Sequence, residues 1–228
     1  MAVARGFDIL RHARTAPLSG RPSAARTRLR AQALAMARAD KLVHAAYGYR
    51  IVPLDAPAAP VLTVGGESLE APWLLPATGQ LTALACCACT LGLSFERRVS
   101  ELFAQRQMSL AMALHELGNE LLFDISRRAQ DRIQAEVSRS SLTMSGELRA
   151  GDPGLALQAQ GAVLRLAGAD SIGISLSEGF VMHPLKSTSM VLGVGVDLPA
   201  SSWSRCDTCN SREKCGVRAR ALAAAAAT

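Results

Sequence analysis

Apolar side chains along residues 109–137 recur at spacings of three and four: Leu110, Leu114, Leu117, Leu121, Ile125, Ala129, Ile133 and Val137. That period puts them on one stripe of a single long helix, with His115, Glu116, Glu120 and Asp124 on its flanks. Residues 23–40 repeat the period with Leu29, Ala33, Met36 and Ala37, and Ser23 stands where an N-cap belongs. A further helix is predicted over residues 95–103. Residues 81–91 form a continuous apolar run, suited to a strand buried on both faces and closed by Gly92. Strands are also predicted over residues 43–54, ending at Pro53, and over 61–64, entering a Gly65-Gly66 turn. Residues 138–154 read as polar and turn-rich, and residues 156–166 as amphipathic.

The stretch from Ile172 to Gly195 alternates apolar and small polar residues in two places, over residues 172–177 and 188–196. This predicts a hairpin of two strands. Its turn holds Glu178, Gly179, Met182, His183, Pro184 and Lys186, a concentration of charge and backbone specialists that a hairpin tip does not need. The segment therefore reads as part of a site.

An apolar fraction of 49% with no polar low-complexity run indicates a folded body. No apolar run reaches spanning length, and the first residues, MAVARGFDILRHAR, lack the apolar core of a secretory signal, so a soluble, cytoplasmic protein with no membrane role is expected. The formal charge of +6 is unevenly placed. Residues 1–41 hold eight Arg and one Lys against Asp8 and Asp40, a local +7 that leaves −1 for the remainder. Few aromatics interleave with this block, so it lacks the stacking platform of a single-strand nucleic-acid binder. It reads as a solvated basic lead-in with a helix over residues 1–40, or as a dock for an acidic partner.

Six cysteines in such a chain point to metal, redox chemistry or burial before disulfides. Cys206-x2-Cys209-x5-Cys215 places three thiols in one short loop near Arg205, Arg212, Lys214 and Arg218. This spacing suits zinc or an iron-sulfur cluster, with a redox dithiol or inert thiols as the other readings. A fourth ligand is required, and Cys86, Cys87 and Cys89 are candidates if they are not simply core filler.

Leu176-Ser177-Glu178-Gly179, followed by Met182, Pro184, Lys186, Ser187 and Ser189, resembles the activation (reactivation) domain of cobalamin-dependent methionine synthase and its free-standing relatives. The likeness continues through YRIVPL at residues 49–54, the Gly65-Gly66 turn, the Cys89-Thr90-Leu91-Gly92 strand end, Phe95-Glu96 at the next helix, the long helix, and Pro153-Gly154 before a short helix. These stand in the family's order over residues 40–197. The resemblance implies an α/β (α+β) fold, C-shaped, with a twisted, mostly antiparallel sheet packed against the long helix and further helices. It divides the chain into the lead-in, an activation-like domain over residues 41–198, a Cys-rich tail over 199–220 and an alanine tail over 221–228.

The family binds S-adenosylmethionine and caps a cobalamin module, allowing cob(II)alamin to be reduced and remethylated. This chain has no Asp-x-His-x-x-Gly cobalamin signature and no room for the catalytic zinc and folate modules, so a complete methionine synthase is not expected. The resemblance instead implies an accessory protein acting on cobalamin that a corrinoid-binding protein or a core methionine synthase carries, with an electron donor. The second reading is a non-catalytic metal- or cluster-binding subunit of another redox complex that no longer binds S-adenosylmethionine. In that electron-consuming context an iron-sulfur cluster is the preferred occupant of the tail.

The family's Arg-x-x-Pro-Gly-Tyr motif falls on Arg149, Pro153 and Gly154, with one residue inserted and Leu155 in place of the aromatic. The resemblance also implies a long-helix carboxylate for the ligand's amino group: Glu120, with Glu116 and Asp124 behind it. Glu178 and Lys186 match family positions either as a polar wall beside the ligand or as an ion pair fixing the turn.

Overall fold

A computed structural model describes residues 1–15 and 23–199. The chain enters through strand β1 (Ala2–Arg5) and helices α1 (Leu10–Thr15) and α2 (Ala24–Ala39), then forms β2 (Ala46–Pro53). A small hairpin of β3 (Val61–Val64) and β4 (Glu67–Glu70) precedes a 3-10 turn at Pro72–Leu74 and the long strand β5 (Gln80–Thr90). Helices α3 (Leu93–Ala104) and α4 (Met108–Arg139) follow, then β6 (Thr143–Leu148) and α5 (Gln160–Ala167). The described chain closes with β7 (Ser175–Leu176), β8 (Met182–His183) and β9 (Ser187–Val196).

The main sheet is antiparallel throughout, in the order β1-β2-β5-β9-β6. Helices α1 to α4 cover one face, and α5 with the β3–β4 hairpin covers the other. The expected α/β architecture, an antiparallel sheet against a long helix, is therefore the one observed. The predicted stripe on α4 is buried from Leu114 through Val137, which supplies the tertiary support that its uncapped N-terminus does not. Helix α2 does have its cap: Ser23 Oγ accepts the Arg26 N–H at 3.2 Å.

Strand β5 is buried on both faces, as its apolar run predicts. Ala83, Ala85, Cys87 and Cys89 enter the core beneath α4, while Leu84, Cys86 and Ala88 enter the core beneath α5. Leu81 breaks the alternation and joins the second group, because the register shifts between Leu81 and Ala83 and the extra residue turns the strand over.

Three expectations are corrected. The strand predicted over residues 172–177 does not pair with β9: Ala169–Ile172 is a 3-10 turn ended by Gly173 in the left-handed region, and the short β7 pairs with β8. Strand β9 instead lies inside the main sheet between β5 and β6. Part of the polar, turn-rich stretch is β6, an edge strand whose polar residues need little burial. The basic lead-in is not helical throughout: β1 pairs with β2, and Ile9, Leu10 and Ala13 enter the main core.

Candidate functional site

Strand β9 and the residue before it present polar side chains on both faces. Ser187 and Ser189 turn toward α5, where Ser187 donates to Thr90 Oγ1 at 2.9 Å and Ser189 accepts from Gln160 Nε2 at 2.7 Å. Lys186 and Thr188 turn the other way, toward α4, and organise two polar clusters in the seam between sheet and helix. Period two along the strand sets this division.

The first cluster centres on Arg149, just beyond β6. Its Nη1 donates to Thr188 Oγ1 at 2.7 Å, its Nη2 to Ser126 Oγ of α4 at 3.1 Å, and its Nε and Nη2 to Glu147 Oε1 at 2.9 and 2.7 Å. One planar guanidinium thereby ties an edge strand, a central strand and the long helix together. The following loop closes on itself: Asp152 Oδ2 accepts the Arg149 N–H at 3.0 Å, and Leu155 O accepts the Gly151 N–H at 2.9 Å.

That loop exposes Pro153 and buries Leu155. Gly154 has φ +85, and a Cβ there would lie 2.6 Å from Trp73 Cγ. The indole of Trp73 thus rests directly on the loop backbone, a contact only glycine permits. Trp73 is 48% exposed, so an aromatic surface borders the loop although Leu155 supplies none. No local sequence signal marks Trp73, because it comes from the distant 3-10 turn before β5.

The second cluster surrounds Lys186. Its ammonium donates to Asn119 Oδ1 at 2.5 Å and lies 3.2 Å from His115 Nδ1, while Glu96 Oε2 of α3 accepts the neighbouring Leu185 N–H at 2.5 Å. The aliphatic stem passes Gly118, where a Cβ would meet Lys186 Cε at 3.2 Å and Phe95 Cε1 at 2.6 Å. Burial lowers the Lys186 pKa to about 8, with the Glu96 charge acting in the opposite direction. Burial and then the Lys186 charge lower that of His115, against the opposing charge of Glu116.

Arg149, Pro153 and Gly154 therefore share one loop, and Lys186 lies on the same face of the strand as Thr188, the hydroxyl that Arg149 bonds. Glu120 does not reach this seam. It faces α2, where both its carboxylate oxygens are taken by Arg30 at 2.7 Å, and it lies about 120° around the helix from Ser126. Glu116 likewise pairs with Arg26, at 3.4 Å. Glu178 is exposed at the β7–β8 turn and does not pair with Lys186, whose ammonium is directed to α4.

Cys87 and Cys89 sit 3.9 Å apart on the α4 side of β5, while Cys86 points to the opposite core, so the triplet does not converge. Burial pushes the Cys86 thiol up to about 12, and the Cys87 thiol is raised by its hydrogen bond to Cys89 and by burial, against the charge of Arg149. Among the described residues no three metal-capable side chains come together. Cys206, Cys209 and Cys215 lie outside the described residues, as does the alanine tail. No described helix is long and apolar enough to cross a membrane.

No protein-family model matches the chain, and no curated protein matches it by sequence. Its fold is similar to that of the MetH reactivation domain bound to AdoHcy, with a TM-score of 0.63 and 14% identity, over 87% of this chain and 80% of that one. At that identity the likeness establishes a common fold.

Proposed function

We propose that this chain binds an S-adenosyl amino acid on the surface that Trp73 forms beside the Arg149–Gly154 loop and supports reductive reactivation of cobalamin carried by a separate corrinoid-binding protein or core methionine synthase. The supporting observation is the indole of Trp73 against Gly154 on a fold shared with an AdoHcy-bound domain. Trp73 offers an adenine-stacking surface in place of the aromatic that the family motif carries at the position of Leu155. Arg149 would exchange Glu147 for the ligand carboxylate, and Lys186 is a second cation in the same seam. S-Adenosylmethionine, when bound, supplies an electrophilic methyl group. The contribution of these residues is to hold it in one orientation for the partner.

Calorimetric titration with AdoHcy tests this. Saturable binding, weakened about tenfold or more by Trp73→Ala and retained by Trp73→Tyr, is expected for a stacking contact. Absence of heat at millimolar ligand overturns the reading. It would favour a non-catalytic subunit of another redox complex, which the engagement of Arg149 by Glu147, Ser126 and Thr188 and of Glu120 by Arg30 also supports. In either case the tail cysteines are proposed to hold zinc or an iron-sulfur cluster. Metal analysis and a visible spectrum of anaerobically purified protein separate the colourless ion from the brown cluster.

A further inference from the structure

Helices α2 and α4 leave a groove between them at the end where α4 begins. Two adjoining cavities of about 620 and 450 Å³ share Leu29, Met108 and Ser109, so the groove is continuous. Its walls carry Leu29, Ala35 and Met36 from α2 and Met108, Met112 and Ala113 from α4. Met108 is 51% exposed and Met112 48%, which puts two flexible thioethers in solvent on the same helix face. From Ala25 to Met36 the groove runs roughly 16 Å, about three helical turns.

Charge narrows the occupant. Helix α2 holds Arg26, Arg28, Arg30 and Arg38 and no acidic residue. Glu116 and Glu120 engage Arg26 and Arg30. Arg28, one turn from Gln32 on the outer flank of α2, and Arg106, on the opposite wall, make no ion pair among the described residues. The lining of the groove thus holds Arg26, Arg30 and Arg106 against Glu116 alone, and the exposed Arg28 stands just outside that lining on α2. A second copy would present the same positive helix. Residues 200–228 have the wrong sign too, with Arg205, Arg212, Lys214, Arg218 and Arg220 against Asp207 and Glu213.

We propose that this groove docks an amphipathic helix of an acidic partner protein, its apolar face on Leu29, Met108 and Met112 and its carboxylates toward Arg28 and Arg106. The groove is built from α2, α4 and the residues that lead into them, and does not depend on S-adenosyl binding.

The test uses the full chain and two fluorescent, helix-stabilised peptides of about 16 residues, enough to span the groove. Both carry Leu at helical spacing; one has Glu and the other Lys at the flanking positions. Anisotropy titration is expected to show saturable binding of the Glu peptide, weakened by salt, with the Lys peptide about tenfold or more weaker. The Arg28→Glu/Arg106→Glu double variant, altered only at exposed side chains, should lose the Glu peptide, and Met112→Gln should weaken it, with unchanged circular dichroism. Equal affinity for the two peptides, or no binding of either, overturns the proposal. So does sedimentation as a dimer that Met112→Gln dissociates, or binding that appears only after deletion of residues 200–228, since the groove would then belong to a second copy or to the chain's own tail.

Discussion

The ammonium of Lys186 is held by Asn119 at 2.5 Å, across the seam between the central strand and the long helix. The approach is possible because position 118 has no side chain: a Cβ there would stand 3.2 Å from Lys186 Cε and 2.6 Å from the Phe95 ring. Gly118→Ala should therefore reverse the usual helix preference. Alanine normally stabilises a helix interior by about 1 kcal/mol relative to glycine, whereas here the clash is expected to destabilise by about 1–3 kcal/mol. Urea unfolding of the two proteins measures the difference.

The same lysine gives a pH signature. Its folded pKa, about 8, lies below the ordinary 10.5, so between these values the unfolded chain binds more protons and stability rises with pH. The gain is fully present above about 10.5 and is lost as pH falls through 8. It amounts to roughly 3–4 kcal/mol at most, from roughly 1.4 kcal/mol per tenfold change in proton affinity. His115 adds a loss of the same sign below about pH 6.5, where its unfolded form protonates first. The stability difference between wild type and Lys186→Met, measured from pH 7 to 10.5, should follow the lysine profile. A pH-independent difference would contradict it.

Arg149→Lys removes the planar fork and leaves a single point charge to replace bonds with Glu147, Ser126 and Thr188. The expected loss is about 1–3 kcal/mol, the cost of leaving buried partners unpaired. Hydrogen exchange should rise first in β6 and its following loop, and less in β2 and β5.

Gly154→Ala forces a side chain into the indole of Trp73 from a backbone at φ +85. Loss of roughly 1–3 kcal/mol is expected from the left-handed conformation alone. AdoHcy affinity should fall by about the same factor as in Trp73→Ala, since one change displaces and the other removes the indole that borders the loop. Calorimetry on the two variants makes the comparison.

Cys86, Cys87 and Cys89 are fully buried, and the first two are held in the thiol form. Iodoacetamide should leave all three unmodified in the native protein and alkylate them in urea, as peptide mass spectrometry will report. Modification of the native strand would place these thiols at the surface instead.

What was legible in the sequence follows the length of each pattern. The stripe on α4 and the apolar run of β5 persist long enough that no other element accommodates them, and both are found where expected. Strands β1 and β6 are short edge strands; β6 contains a positive-φ glycine, Gly146, and a register shift, so its alternation never develops. Around Ile172 the alternation is real but local, and a 3-10 turn uses it to bury Ile172 and Ile174. The site divides in the same way. Arg149, Pro153 and Gly154 are placed by the resemblance to the family motif. Which flank of α4 carries Glu120 depends on α2 packing against that flank, and Trp73 reaches Gly154 only through tertiary folding, which no local period encodes.

Strand β6 is one outer rung of the main sheet, bonded among the described residues to β9 alone. A molecule that drew the Arg149 side chain out of its seat would loosen that rung while the other four strands kept their ladder intact. The yielding in such an event would fall at the margin of the sheet, and the frame behind it need not follow.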